Sequence, residues 1–207
     1  LQQDYFQGIH SRFWELSTLG MPTHARRSKG AWNSIELASL FVPLRFRPVD
    51  TAHEPAAGGG NARLASLRDG STTLAAILKA GRSAVLLGDP GTGKTTILRF
   101  LALLFAGHAG LEGYQPTVPL VPIYVPLREF VRRKSERSKD GPFDLLDFAV
   151  EQARAQDQPD MHRVYFESAL LLGRAVLLVD GLDEVGSEAA RQDLRTHLMG
   201  FLQHWPL

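Results

Sequence analysis

At 207 residues, with 44% apolar and 22% charged side chains, the chain has the composition of a soluble globular protein of one large domain or slightly more. A net charge of +1 gives no strong field for nucleic acid or an anionic membrane, and the absence of cysteine excludes disulfides and thiolate metal sites. No apolar run approaches the roughly 20 residues of a membrane span and no signal-peptide pattern opens the chain, which together fit a reducing, cytoplasmic setting.

Residues 1–19 carry Tyr5, Ile9, Phe13 (or Trp14) and Leu16 at helical spacing, which predicts a helix ending near Gly20-Met21-Pro22. The basic, polar stretch 23–30 reads as a solvated loop rather than an anion-binding patch. Residues 35–46 read as a strand or extended segment, which Pro43 confines to an edge or ends. Residues 47–61, rich in Pro, Ala and Gly, predict a flexible loop with too little apolar surface to fold alone. Residues 62–80 predict a helix in two pieces, broken at Asp69-Gly70. Ser71 is the expected N-cap of the second piece and Gly81 its close.

The apolar run Ser83-Ala84-Val85-Leu86-Leu87 predicts a buried strand. Gly88-Asp89-Pro90-Gly91-Thr92-Gly93-Lys94-Thr95 follows and fits G-x-x-x-x-G-K-[ST] at every required position. Residues 96–104, from Thr96 onward, predict a helix. Strand, glycine-rich loop and helix in this order make a phosphate cradle. The glycines bring backbone N–H groups close to phosphate oxygens, and the helix start adds unpaired N–H groups and a positive dipole end. Lys94 can reach the β- and γ-phosphates, and the Thr95 hydroxyl can sit on Mg²⁺. A glycine-rich turn ahead of a core helix is the competing reading, but it leaves Lys94 and Thr95 in register unexplained.

Beyond a loop over 108–119, residues 120–127 predict a second core strand, although Pro122 and Pro126 are awkward in a central position. Residues 128–131 start a short helix. Residues 132–140 are a mixed-charge run, read as a solvated loop. Residues 142–155 and 161–172 predict amphipathic helices. Strands alternating with helices imply an α/β fold, a parallel sheet with helices on both faces, preceded by a helical N-terminal segment.

The run Ala175-Val176-Leu177-Leu178-Val179-Asp180 predicts a strand ending in a carboxylate, expected beside the phosphate-loop strand. Ligands of open α/β sheets lie at that end of the strands. Asp180 is the candidate Mg²⁺ partner opposite Thr95, in preference to a turn or capping role. Gly181-Leu182-Asp183-Glu184-Val185 adds two acids just beyond it. Glu184 is the candidate base that orients an attacking water, with Asp183 as the alternative and Lys94 stabilising phosphate charge. A bland alternative has both acids favouring the start of the helix at Ser187. Residues 188–203 predict the last helix, with Leu194, Leu198, Phe201 and Leu202 on its apolar face.

These two motifs together, residues 88–96 and 177–185, resemble those of the NACHT NTPases, a signal-transducing (STAND) branch of the P-loop NTPases related to AAA+ proteins. The aspartate–glycine–leucine–aspartate–glutamate run is the specific part. Pro119 to Phe130 is similar to the segment between the motifs in bacterial members, and Glu36 to Leu44 to the segment before their nucleotide site. The resemblance implies a three-layer P-loop NTPase core over 35–207, behind an N-terminal helical segment and linker over 1–34. It implies an ATP/ADP switch that self-associates and activates an effector or sensor domain in cis. It also implies antiphage or innate immune defence, of the bacterial NLR-like kind. By the same analogy Val42 and Pro43 would pack against the adenine, and the nucleotide would be an adenine one. A further strand with a sensor arginine and a winged-helix domain with a phosphate-contacting histidine would lie beyond Leu207. The start without Met and the stop after a helical pattern likewise predict a piece of a longer protein.

Two other classes of function use the same motifs. A P-loop kinase acting on a small acceptor would need a lid, for which 132–140 is the candidate. The other is a scaffold, either nucleotide-binding without hydrolysis or with a decayed site, and the intact Lys94, Thr95 and Asp180 argue against decay.

Overall fold

The computed structural model describes residues 1–17, 34–42, 44–47, 71–80, 83–137 and 141–205. In chain order the first elements are helix α1 (Gln2–Phe13), strands β1 (Glu15–Ser17) and β2 (Ser34–Glu36), helix α2 (Leu37–Leu40), strands β3 (Arg45–Phe46) and β4 (Thr72–Thr73), and helix α3 (Leu74–Ala80). Helix α4 (Lys94–Phe105), strand β5 (Val121–Pro126), helices α5 (Leu127–Arg137), α6 (Leu145–Arg154) and α7 (Arg163–Leu171), strand β6 (Ala175–Asp180) and helix α8 (Glu188–His204) follow. A 3-10 turn, Leu182–Glu184, joins the last two.

The β5 and β6 runs pair in parallel, from Val121 against Ala175 to Pro126 against Asp180. The two prolines explain themselves here. Val121 N–H bonds to the Arg174 carbonyl of the neighbouring chain segment, while the Pro122 carbonyl accepts instead from the Tyr5 hydroxyl on α1. Successive backbone groups alternate between the two edges of a strand. Pro122 and Pro126 therefore turn their missing N–H away from β6, where no ladder bond is lost. Helix α4 packs on both strands, α6 on β5 and α7 on β6. This is the mixed α/β arrangement with a parallel sheet that the alternation predicted.

Aromatic rings fill part of the core. Phe100, Phe130, Phe148 and Phe166 are among its largest fully buried side chains. Helix α1 adds Tyr5, Phe6, Ile9 and Phe13, all buried, with the Tyr5 ring edge-on to Phe166 at 5.3 Å. Burial pushes the Tyr5 hydroxyl far above its ordinary range.

Several sequence expectations are corrected. The helix expected over 1–19 ends at Phe13, and Leu16 belongs to β1, which pairs with β2 through Leu16 opposite Ile35. The extended segment expected over 35–46 is broken by α2; Pro43 lies outside the described residues. The N-cap of α3 is Thr73, whose hydroxyl accepts from Ala76 N at 3.2 Å, and Ser71 is instead a partner of Arg45. The expectations for 18–33, 48–70, Gly81 and 138–140 lie outside the described residues.

Residues 132–137, expected as loop, are helix. Arg132 pairs with Glu136 at 2.8 Å and Arg133 with Glu129 at 2.9 Å, each one turn apart. Mixed charge at this spacing supports a helix, a signal that the loop reading overlooked. Lys134 and Arg137 tie α5 onward to Asp193 of α8 and Glu151 of α6.

Residues 83–87 do not form a buried strand. They are coil, with Val85 81% and Leu87 70% exposed. No strand pairing among the described residues joins them to β6, whose paired neighbour is β5. An apolar run becomes a strand only where a neighbour accepts its backbone bonds, and none among the described residues does so. On α8, Leu194 and Phe201 are buried, but Leu202 is 42% exposed and does not belong to the apolar face.

Helix α6 starts in a full capping box. The Asp144 carboxylate accepts from Leu146 N and Asp147 N, and the Asp147 carboxylate accepts from Asp144 N. Arg163 at the start of α7 grips both acids, at 2.7 Å and 2.8 Å, and Glu167 at 2.7 Å. Burial alone would raise the Asp144 carboxyl, but Arg163 and the helix N–H donors outweigh it and hold it below the usual range. Its contribution to stability is complete at neutral pH. It is lost as the pH falls from the ordinary carboxylate range through this lower folded-state value. Asp144→Ala is expected to cost about 1–2 kcal/mol at pH 7, mostly the cap, because the ion pair is partly exposed and screened. Urea unfolding at pH 7 and pH 2 checks it, with the difference from wild type shrinking at the lower pH.

Candidate functional site

Residues 88–93 form a turn, exposed over 88–92, that runs into α4. Gly93 caps the helix with φ +86°, a conformation that glycine adopts without strain. The first helical bond there runs from Ile97 N to Gly93 O, so the N–H groups of Lys94, Thr95 and Thr96 have no carbonyl one turn back. Free N–H groups at a helix start are the donors that an anion takes. Within the loop, Thr92 closes a tight turn by donating its hydroxyl to Asp89 O at 2.8 Å. Gly88 is packed against that hydroxyl so closely that a Cβ would come within 2.8 Å of it.

Lys94 lies along this loop. Its ammonium donates to Gly88 O at 2.7 Å and Asp89 O at 3.1 Å, and Asp183 stands 3.9 Å away. The cation is thus held over the loop by two neutral carbonyls, with one exposed acid nearby.

Thr95 and Asp180, 85 residues apart in sequence, meet in the structure. The Thr95 hydroxyl donates to Asp180 Oδ1 at 3.1 Å. Asp180 reaches this point from the C-terminal end of β6, where the sheet geometry puts ligands. Its second oxygen, Oδ2, accepts from the Tyr124 hydroxyl at 2.6 Å. Burial first, and the Asp180 carboxylate second, push the Tyr124 phenol far above its ordinary range, so it stays a donor.

A hydroxyl and one carboxylate are the hard oxygen donors that Mg²⁺ takes when phosphate oxygens and water complete its shell. Among the described residues no group of three or more His, Cys, Asp or Glu forms a self-sufficient metal cage. The donor set fits a metal shared with a nucleotide. Bound there, Mg²⁺ would supply charge neutralisation on the phosphates.

Past Asp180, Gly181 takes φ +79° and starts the 3-10 turn. The turn carries Asp183 towards Lys94, while Glu184 folds back over Gly181, its carboxyl carbon 3.4 Å from where a Cβ would stand. Both acids are exposed. Val42 is 71% exposed, next to Phe41, whose ring stacks at 3.7 Å on Phe100 of α4. The segment before β3 is thereby pinned to the helix that follows the phosphate loop.

Sequence reading missed Tyr124. The signal was a tyrosine at the centre of an otherwise apolar strand, since a buried phenol needs a partner.

A family model described as NACHT domain matches residues 82–206. Comparison with curated proteins and with solved structures gives no match.

Proposed function

The chain belongs to the NACHT family of nucleotide-binding signalling NTPases, and from that premise we propose that it is a Mg²⁺-dependent ATP/ADP switch with slow ATPase activity. The observation that carries this reading is the meeting of Thr95 and Asp180 at 3.1 Å, beside a phosphate loop whose lysine is already in place. Residues 88–96 bind the phosphates through backbone N–H groups and the Lys94 ammonium. Thr95 and Asp180 would hold the metal, Glu184 orients the attacking water, and Asp183 steers Lys94. Val42 and Pro43 line the adenine. Nucleotide state then governs self-association and the activation of an effector or sensor domain in cis, in antiphage or innate immune defence in a bacterial cytoplasm.

The kinase reading would take 132–140 as its lid. The part of the mixed-charge run that lies among the described residues, 132–137, is helix tied by ion pairs to α6 and α8. No helix among the described residues is long and apolar enough to cross a membrane.

Titration calorimetry with ATP, ADP and GTP, with and without Mg²⁺, tests the proposal. Both adenine nucleotides are expected to bind in preference to GTP, and ATP more tightly with Mg²⁺. A chain that binds no nucleotide under either condition refutes it.

A further inference from the structure

The metal-facing carboxylate is attached to the N-terminal helix through one side chain. Asp180 gives one oxygen to Thr95 and the other to Tyr124. Tyr124 is 5% exposed, and its ring lies against two residues of α1. Phe13 meets it at 4.8 Å and 64°, and the Arg12 guanidinium stands 5.4 Å from its centroid. Arg12 is itself anchored by donating to Gln152 of α6 at 2.6 Å. Two turns earlier on α1, Tyr5 donates to the carbonyl of Pro122, two residues before Tyr124 on the same strand. So α1 grips β5 both at its backbone and at the ring whose hydroxyl holds Asp180.

A carboxylate with one free torsion beyond Cβ can turn both oxygens. A bond from Tyr124 to Oδ2 leaves Oδ1 aimed at Thr95. Partners of this kind, which hold a ligand without touching the ion, commonly carry 10- to 100-fold of metal affinity. We propose that Tyr124 is a positioning residue for the metal site and that α1, through Arg12 and Phe13, sets its position. The N-terminal helix thereby tunes how strongly Mg²⁺ supports nucleotide binding. This rests on the Mg²⁺-nucleotide reading of Thr95 and Asp180 given above.

The test is the Mg²⁺ concentration that gives half of the metal-dependent gain in ATP affinity, with ATP affinity in EDTA as the reference. Tyr124→Phe keeps the ring and its packing but removes the donor, and thermal melting checks that the variant folds. The half-point is expected to rise roughly tenfold in Tyr124→Phe. Arg12→Met, which keeps an unbranched stem against both rings, is expected to shift it in the same direction by less. If the tyrosine only fills the core, Tyr124→Phe leaves the half-point alone. Asp180→Asn separates the two levels of failure. If Asp180→Asn loses the metal dependence while Tyr124→Phe or Arg12→Met keeps the wild-type half-point, the relay is overturned and the metal reading stands. If wild type itself gains nothing from Mg²⁺, both fall.

Discussion

Replacing Lys94 by Ala is expected to weaken ATP binding by about 1.5–3 kcal/mol, the range for a charge-assisted hydrogen bond. That corresponds to a loss of roughly 10- to 100-fold in affinity. The structure adds a reason for an effect at the upper end. Lys94 is already laid along the loop by Gly88 O and Asp89 O, so little ordering entropy remains to be lost when phosphate arrives. Removing the side chain also frees those carbonyls and loosens the loop that aims its N–H groups. The loss should depend on the nucleotide. ATP and ADP present a β-phosphate within reach of the ammonium, whereas AMP does not, so AMP affinity should change little. Calorimetry with the three nucleotides reads this directly. Unchanged ATP affinity in Lys94→Ala removes the phosphate-loop assignment.

The features legible in the sequence were those spelled by local chemistry. The loop 88–95 needs glycine at fixed places and Lys and Thr at its end, so its spelling identifies it without any partner. The same holds for β6, an apolar run closed by Asp180, and for Ser187, which caps α8 by accepting from Ala190 N at 3.1 Å. What the sequence concealed depended on distant partners. Residues 83–87 look like a strand because they are apolar, yet strand formation is a property of a pair, and no strand partner for them lies among the described residues. Tyr124 looks like one more strand aromatic until the fold brings Asp180 within 2.6 Å of its hydroxyl. The run 132–137 misled in the opposite sense. Its charges were read as solvation, but their spacing of four was helical information. Thr73 displaced Ser71 as a cap because strand pairing of Phe46 with Thr72 fixes where α3 starts.

The second large effect concerns the pair of acids after Asp180. Sequence alone favoured Glu184 over Asp183 as base, and the geometry gives that preference a physical basis. Asp183 Oδ2 faces the Lys94 ammonium at 3.9 Å, so its charge is directed at the cation that phosphate will claim. Glu184 has no such engagement among the described residues and rests over Gly181. A carboxylate that is to accept a water proton is better placed when no cation competes for its lone pairs. Glu184→Gln is therefore expected to slow ATP hydrolysis by about 10²- to 10⁴-fold, the span typical of a positioned general base, while ATP still binds. Asp183→Asn should act mainly on binding, because it removes the partner that steers Lys94 and leaves the base in place. Single-turnover phosphate release at saturating ATP separates the two, since it reads the chemical step without the binding step. Wild-type turnover in Glu184→Gln together with a collapse in Asp183→Asn would exchange the two roles. Gly181→Ala provides an independent check on the same geometry. A methyl group there meets the Glu184 carboxylate and strains a backbone at φ +79°, so it should slow turnover without touching the phosphate loop.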